Sequence, residues 1–244
     1  MFSTQSSNPV LQSDQFKMAR SQDGNVMTVD GTVNKTALLL LITILSSAYS
    51  WQSLTPTTGL FLISGIGGLA LYFITAYKPT IAHITAPLYC GVKGLLLGSF
   101  SAFAESLYPG IVVNAIILTL GLLGVMLSAY KSGYIRATPK LQRMIGFGMI
   151  AYLVLAGVHM ISWIFGLGLP SLFYGGPIAI AFSLFAVGLG SLFLVLDFDE
   201  IESGAREGKP KQYEWMGAFG LIVTLIWIYW EVLRLLINLQ QSKD

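Results

Sequence analysis

Charge is scarce in this chain: 11% of its 244 residues are Asp, Glu, Lys or Arg, against roughly 25% in a soluble domain. That shortage excludes an ordinary water-soluble globule. Cys90 is the single cysteine, so no disulfide forms within the chain, and its place inside an apolar stretch reads as a small buried residue. The two histidines, His83 and His159, stand too far apart for a local zinc pair, and neither HExxH nor a phosphate-binding glycine loop occurs. Gly188-Leu189-Gly190-Ser191 is only superficially like a serine-nucleophile turn, since nothing places a base beside it. The last apolar stretch carries Glu231 and Arg234 but no lysine, which argues against a retinal protein. No enzyme and no resident cofactor are expected, and a net charge of +2 is too small to point to nucleic acid.

What the chain has in abundance is apolar length. Hydrophobic residues make up 54% and mean hydropathy is +0.69. Seven stretches approach the ~20 residues that cross a ~30 Å hydrocarbon core: Thr36 to Trp51, Gly59 to Tyr77, Ile81 to Phe103, Ile111 to Tyr130, Met144 to Leu169, Ser171 to Leu196 and Trp215 to Leu239. The expectation is an all-α membrane protein with one seven-helix domain, residues 36–244. A polar arm, residues 1–35, precedes it and reads as flexible, without the apolar core of a cleavable signal. The first stretch is short and must be extended at its ends or met by a thinned bilayer; six spans is the alternative count.

Seven alternating helices put Lys17, Arg20, Lys35, Lys78, Lys131, Arg136, Lys140, Arg143, Arg206, Lys209 and Lys211 on one side, and none in the three opposite loops. By the positive-inside rule the N-terminus is cytoplasmic and the C-terminus outside. Tyr49, Trp51, Tyr77, Tyr108, Tyr130 and Trp215 fit interfacial anchors. Gly65, Gly67, Gly68, Gly94, Gly98, Gly188 and Gly190 read as close-approach points between helices. Pro170 and Pro177 predict an irregular start to the sixth helix.

Polar groups within these stretches are the candidate functional residues, because a charge in hydrocarbon must be paired, hydrated or protonated. Four of the twelve acids, Asp197, Asp199, Glu200 and Glu202, follow the sixth stretch within six residues. Lys93 lies near the middle of the third and needs a partner or water. Glu231, in the seventh, lies at a similar depth and is a possible partner, in competition with Arg234 three residues on. Thr224, Trp227, Glu231 and Arg234 form one partly polar stripe. His159 reads as a hydrogen-bonded core histidine, and Glu105 as an acid at the outer surface.

The chain resembles the Bax inhibitor family, in its bacterial YccA-like branch with a polar N-terminal arm. The resemblance rests on Ser6-Ser7-Asn8-Pro9-Val10-Leu11, Met27-Thr28-Val29-Asp30, Tyr108-Pro109-Gly110-Ile111-Val112, Asp197-Phe198-Asp199-Glu200-Ile201, and Glu214-Trp215 through Glu231-Val232-Leu233-Arg234-Leu235-Leu236. It implies seven helices with the seventh central, and a pH-sensitive calcium leak governed by two aspartates. Asp197 matches the one on helix six, while Thr224 stands where the one on helix seven is expected and Lys93 replaces a glutamate. Both replacements oppose cation passage, by removing a ligand that Ca²⁺ prefers and by placing a positive charge at mid-membrane.

The leading expectation is a protein of the bacterial inner membrane that permeates or senses cations, Ca²⁺ or H⁺, through Asp197. The alternative is a non-conducting stress-response regulator that binds membrane proteases or other membrane proteins through its arm and the segment from Asp199 to Glu214. A transporter centred on Lys93 and Glu231 is the third reading.

Overall fold

The computed structural model describes residues 25–53, 57–166, 172–173 and 175–242. Residues 1–24 of the polar arm and Pro170 lie outside the described residues. The described residues are mostly helical and form no strand, with one isolated bridge between Val26 and Pro210. Helix α1 is Val29–Ser53. Helix α2 is a run of α turns Thr58–Leu62, a π turn Ile63–Gly67 and α turns Gly68–Tyr77. After a 3₁₀ turn at Pro79–Ile81 come α3 (Ala82–Leu107), α4 (Ile111–Lys131), α5 (Pro139–Phe165), α6 (Gly176–Arg206) and α7 (Tyr213–Gln241). Among the described residues six helices are long and apolar enough to cross a membrane, and in α2 the apolar helical run Ile63–Tyr77 is shorter than those six.

Two boundaries differ from the hydropathy reading in ways that matter. Helix α1 starts at Val29 rather than Thr36, so the end of the expected arm belongs to the bundle. Thr28 caps it, its hydroxyl accepting from Gly31 N at 3.0 Å, with Asp30 in the positive first turn. Helix α6 continues past Leu196 to Arg206, so Asp199, Glu200 and Glu202 lie with Asp197 on its last turns. It stops where Gly208, at φ 69°, takes the left-handed conformation. Lys209 N then reaches back to Gly204 O at 3.1 Å. At its other end α6 begins irregularly, with Gly175 and Gly176 at φ 79° and 76° before Pro177.

Glu105 does local structural work at the α3–α4 corner. Its carboxylate accepts from Gly110 N at 2.6 Å and Val112 N at 3.0 Å, closing the first turn of α4 with negative charge.

Close packing of α1 on α3 depends on absent side chains. A Cβ at Gly94 would lie 2.6 Å from Thr43 O, and one at Gly98 would run into the Ser47 backbone; the gap left at Gly94 lets Ser47 Oγ donate to Gly94 O at 2.9 Å. Gly68 and Gly190 are also close approaches, but Gly65, Gly67 and Gly188 meet nothing within 4 Å and are not packing points.

Helix α7 reaches the other helices in turn. It pairs with Lys35 of α1, sets the Phe219 ring tilted against Tyr72 of α2 with centres 5.9 Å apart, and bonds Tyr229 to Ser101 of α3 at 2.6 Å. It shares the apolar core with Val112 and Met126 of α4 and receives Tyr152 of α5. Gly190 of α6 brings that helix against Ile228. Half of the most apolar stretch of α7 is buried, as in α3 (50% each), and slightly more in α6 (56%), so the interior is shared among three helices. Helix α5 is peripheral and turns Phe147, Ile150, Leu153 and Val154 outward.

Candidate functional site

Asp197 points from α6 into α7. The place it enters is made by Gly220, where a Cβ would come within 3.6 Å of Asp197 Oδ1, and by Thr224, whose hydroxyl faces the carboxylate. That single hydroxyl proton is shared between two acceptors, Gly220 O at 3.2 Å and the Asp197 carboxylate. Asp197 Oδ2 is buried without a hydrogen-bond partner. A carboxylate oxygen in this condition demands a proton, a water or a cation. One turn nearer the basic end the α7 backbone is covered. A Cβ at Gly217 would meet Ile201, Thr32 and Met27 at 3.0, 3.2 and 3.4 Å, and Met27 and Thr32 are themselves buried.

The cover is held by Glu214, a residue that sequence reasoning quoted only as part of a motif. It is buried in the first turn of α7. Its Oε1 accepts from Thr28 N at 3.0 Å and Thr28 Oγ1 at 2.9 Å, and its Oε2 is ion-paired with Lys35. Lys35 Nζ also lies 5.5 Å from the Trp215 ring centre. Backbone bonds from Met27 N to Lys209 O at 2.7 Å and from Lys211 N to Asn25 O at 3.1 Å fasten the same segment to the α6–α7 loop.

Glu231 and Arg234 form a second buried polar region, farther along α7. Their side chains are ion-paired with each other. Tyr152 donates to Glu231 Oε1 at 2.8 Å, Arg234 Nε donates to Ser183 Oγ at 3.3 Å, and Asn238 Nδ2 donates to Ser183 Oγ at 3.2 Å and Phe173 O at 3.1 Å. The Arg234 guanidinium also lies 4.7 Å from the Phe173 ring centre. Both Glu231 oxygens and two of the three Arg234 nitrogens have partners, which suits a cross-brace between α5, α6 and α7 better than an ion path.

Lys93 does not pair with Glu231, although both belong to helices that traverse the same depth. Its Nζ donates to Ser64 O at 3.1 Å in the π turn of α2 and lies 5.7 Å from the Tyr89 ring centre. The wide π turn frees a carbonyl for it, and Gly68 leaves the room, since a Cβ there would be 2.7 Å from Lys93 Cε. The polar stripe on α7 is real, but Thr224 and Glu231 serve different sites, seven residues or about 10 Å apart along the helix. His159 packs edge-on against Phe173 at 5.0 Å, and its buried Nδ1 lacks the hydrogen bond expected of it.

Among the described residues no three His, Cys, Asp or Glu side chains gather as a metal-binding group. The site is thus one carboxylate, one hydroxyl and a backbone surface between two apolar helices. Among the described residues six helices are long and apolar enough to cross a membrane, which marks a multi-pass membrane protein. Residues 8–241 match the Bax inhibitor 1 like family, and the chain belongs to it. Comparison with curated proteins finds no match.

Proposed function

We propose that this protein is a cation leak or cation sensor of the bacterial inner membrane, with Ca²⁺ or H⁺ as the ion and Asp197 as the titratable element. In this reading the interrupted α2 makes a seventh crossing, so that the basic ends of the helices lie in the cytoplasm. The observation that carries it is the buried, partnerless Oδ2 of Asp197. A single carboxylate supplies few of the six to eight oxygens that Ca²⁺ takes, so an ion there keeps most of its water and leaves readily, as passage requires. The seal of Met27, Thr32 and Ile201 lies on the basic side of Asp197, which makes the Glu214 latch the natural point of closure. Reconstitution in liposomes containing a calcium dye tests this. A leak that Asp197→Asn changes supports the reading; no leak between about pH 5 and pH 8, or one that the substitution leaves unaltered, sinks it.

A second reading is a non-conducting regulator that binds membrane proteases or other membrane proteins. It is favoured by the joining of residues 25–28 to the α6–α7 loop in one composite surface. Crosslinking and pull-down from membranes separates the two: the regulator requires a stoichiometric partner that is lost when the loop is altered.

A further inference from the structure

Between α1, α4 and α6, at the basic end of the bundle, lies a half-open cavity of about 1140 Å³. Its floor is apolar: Leu40, Leu123, Leu127, Phe198 and Leu221. On the α1 side it extends from Val29 to Leu40, about 16 Å along the helix at 1.5 Å per residue. Its rim carries Lys131, Arg136 and Arg206, all exposed. None of these three forms an ion pair among the described residues, whose two salt bridges lie elsewhere. The same rim carries two acids, Asp199 and Glu202, and the Tyr130 hydroxyl lies 2.6 Å from Glu202 Oε2 and 3.4 Å from Asp199 Oδ1. A neutral phenol leaves both carboxylate charges in place, so three basic groups face two acidic ones and the lining keeps a net charge of +1.

We propose that this cavity binds one anionic phospholipid, with its phosphate on Lys131, Arg136 and Arg206 and an acyl chain along the apolar floor. Three lines of chemistry converge on that ligand. Arginine and lysine at a membrane surface attract phosphate, and guanidinium groups hold it bidentately. The volume slightly exceeds the ~300–1,000 Å³ of a small-molecule site, enough for a headgroup and the upper part of a chain. The depth of the apolar floor offers nothing to a water-soluble phosphate, whereas an acyl chain gains by leaving no void against Leu40 and Leu127. The site is separate from Asp197, which does not line it.

The test is native mass spectrometry of the full-length protein in detergent, titrated with phosphatidylglycerol, phosphatidylcholine or glycerol phosphate. Wild type is expected to retain phosphatidylglycerol about tenfold more strongly than phosphatidylcholine, a difference of about 1.4 kcal/mol. Arg136→Gln with Arg206→Gln should abolish that preference, and Ala37→Trp, which fills the cavity wall, should weaken retention of both lipids. Lys140→Gln with Arg143→Gln, at the same end but outside the cavity, should change neither. Equal retention of the two lipids by wild type overturns the proposal, as does glycerol phosphate binding as tightly as phosphatidylglycerol. An equal loss of preference in the Lys140/Arg143 variant reduces the effect to diffuse surface charge and also overturns it.

Discussion

Lys35 on α1 is ion-paired with Glu214 in the first turn of α7, where Thr28 donates to the same carboxylate from both its amide and its hydroxyl. One buried acid thus ties the entry of the first helix to the entry of the last. The Lys35 side chain keeps 18% of its exposure against 1% for Glu214, so the lysine reaches water while the acid does not.

Glu214→Gln should therefore loosen the start of the chain without unfolding the bundle. Removing one member of a buried pair costs about 3–5 kcal/mol, and partial exposure of Lys35 lowers the expectation to roughly 2–3 kcal/mol. Hydrogen exchange reads it directly: the Met27 and Thr28 amides should lose protection while those in the middle of α3 keep theirs. Unchanged protection at Met27 would show that the latch does not depend on charge.

Arg234→Met strands Glu231 in the interior with only the neutral donors Tyr152 and Trp227, at an expected cost of about 3–5 kcal/mol. Replacing both, as Glu231→Met with Arg234→Met, should recover more than half of that loss, because no buried charge is left alone. Thermal unfolding in detergent compares the two variants. A double variant as unstable as the sum of the singles would show that the pair does more than neutralise itself.

Lys93 and Glu231 make no contact, so Lys93→Met and Glu231→Gln should act independently. Their combined effect on stability should equal the sum of the single effects within about 0.5 kcal/mol. A coupling well above that value would restore the pairing that the structure denies.

Gly94→Ala should push α1 away from α3 and cost about 1–3 kcal/mol through overpacking, since the added methyl meets the Thr43 carbonyl. Gly188→Ala, with nothing within 4 Å, should be neutral or slightly stabilising because alanine favours helix. Chemical denaturation of both variants tests the contrast, and equal losses would contradict the assigned α1–α3 seam.

Much of the helix order was legible because apolar length is a direct consequence of the bilayer. The start of α4 at Ile111 follows Tyr108-Pro109-Gly110, and both agree with the hydropathy boundary. The start of α1 did not show in that measure, because its first turns carry Asp30, Asn34 and Lys35 and begin at a capping threonine. Asp197 stood out as a candidate by resemblance and by its place near the polar stripe on α7, but its bare Oδ2 did not, since that depends on how α6 packs on α7. Lys93 and Glu231 show the limit most clearly. Position in a sequence gives depth along a helix, whereas the face that a side chain presents to its neighbours follows from packing. Glu214 was missed for a related reason: its donor Thr28 is 186 residues away.

The account turns on Asp197, and the most direct measurement is dye-reported calcium entry into proteoliposomes, compared for wild type and Asp197→Asn at several pH values between about 5 and 8. The account predicts a wild-type leak whose rate changes with pH and a variant whose rate no longer does. A variant that leaks with the wild-type rate and the wild-type pH profile would contradict it.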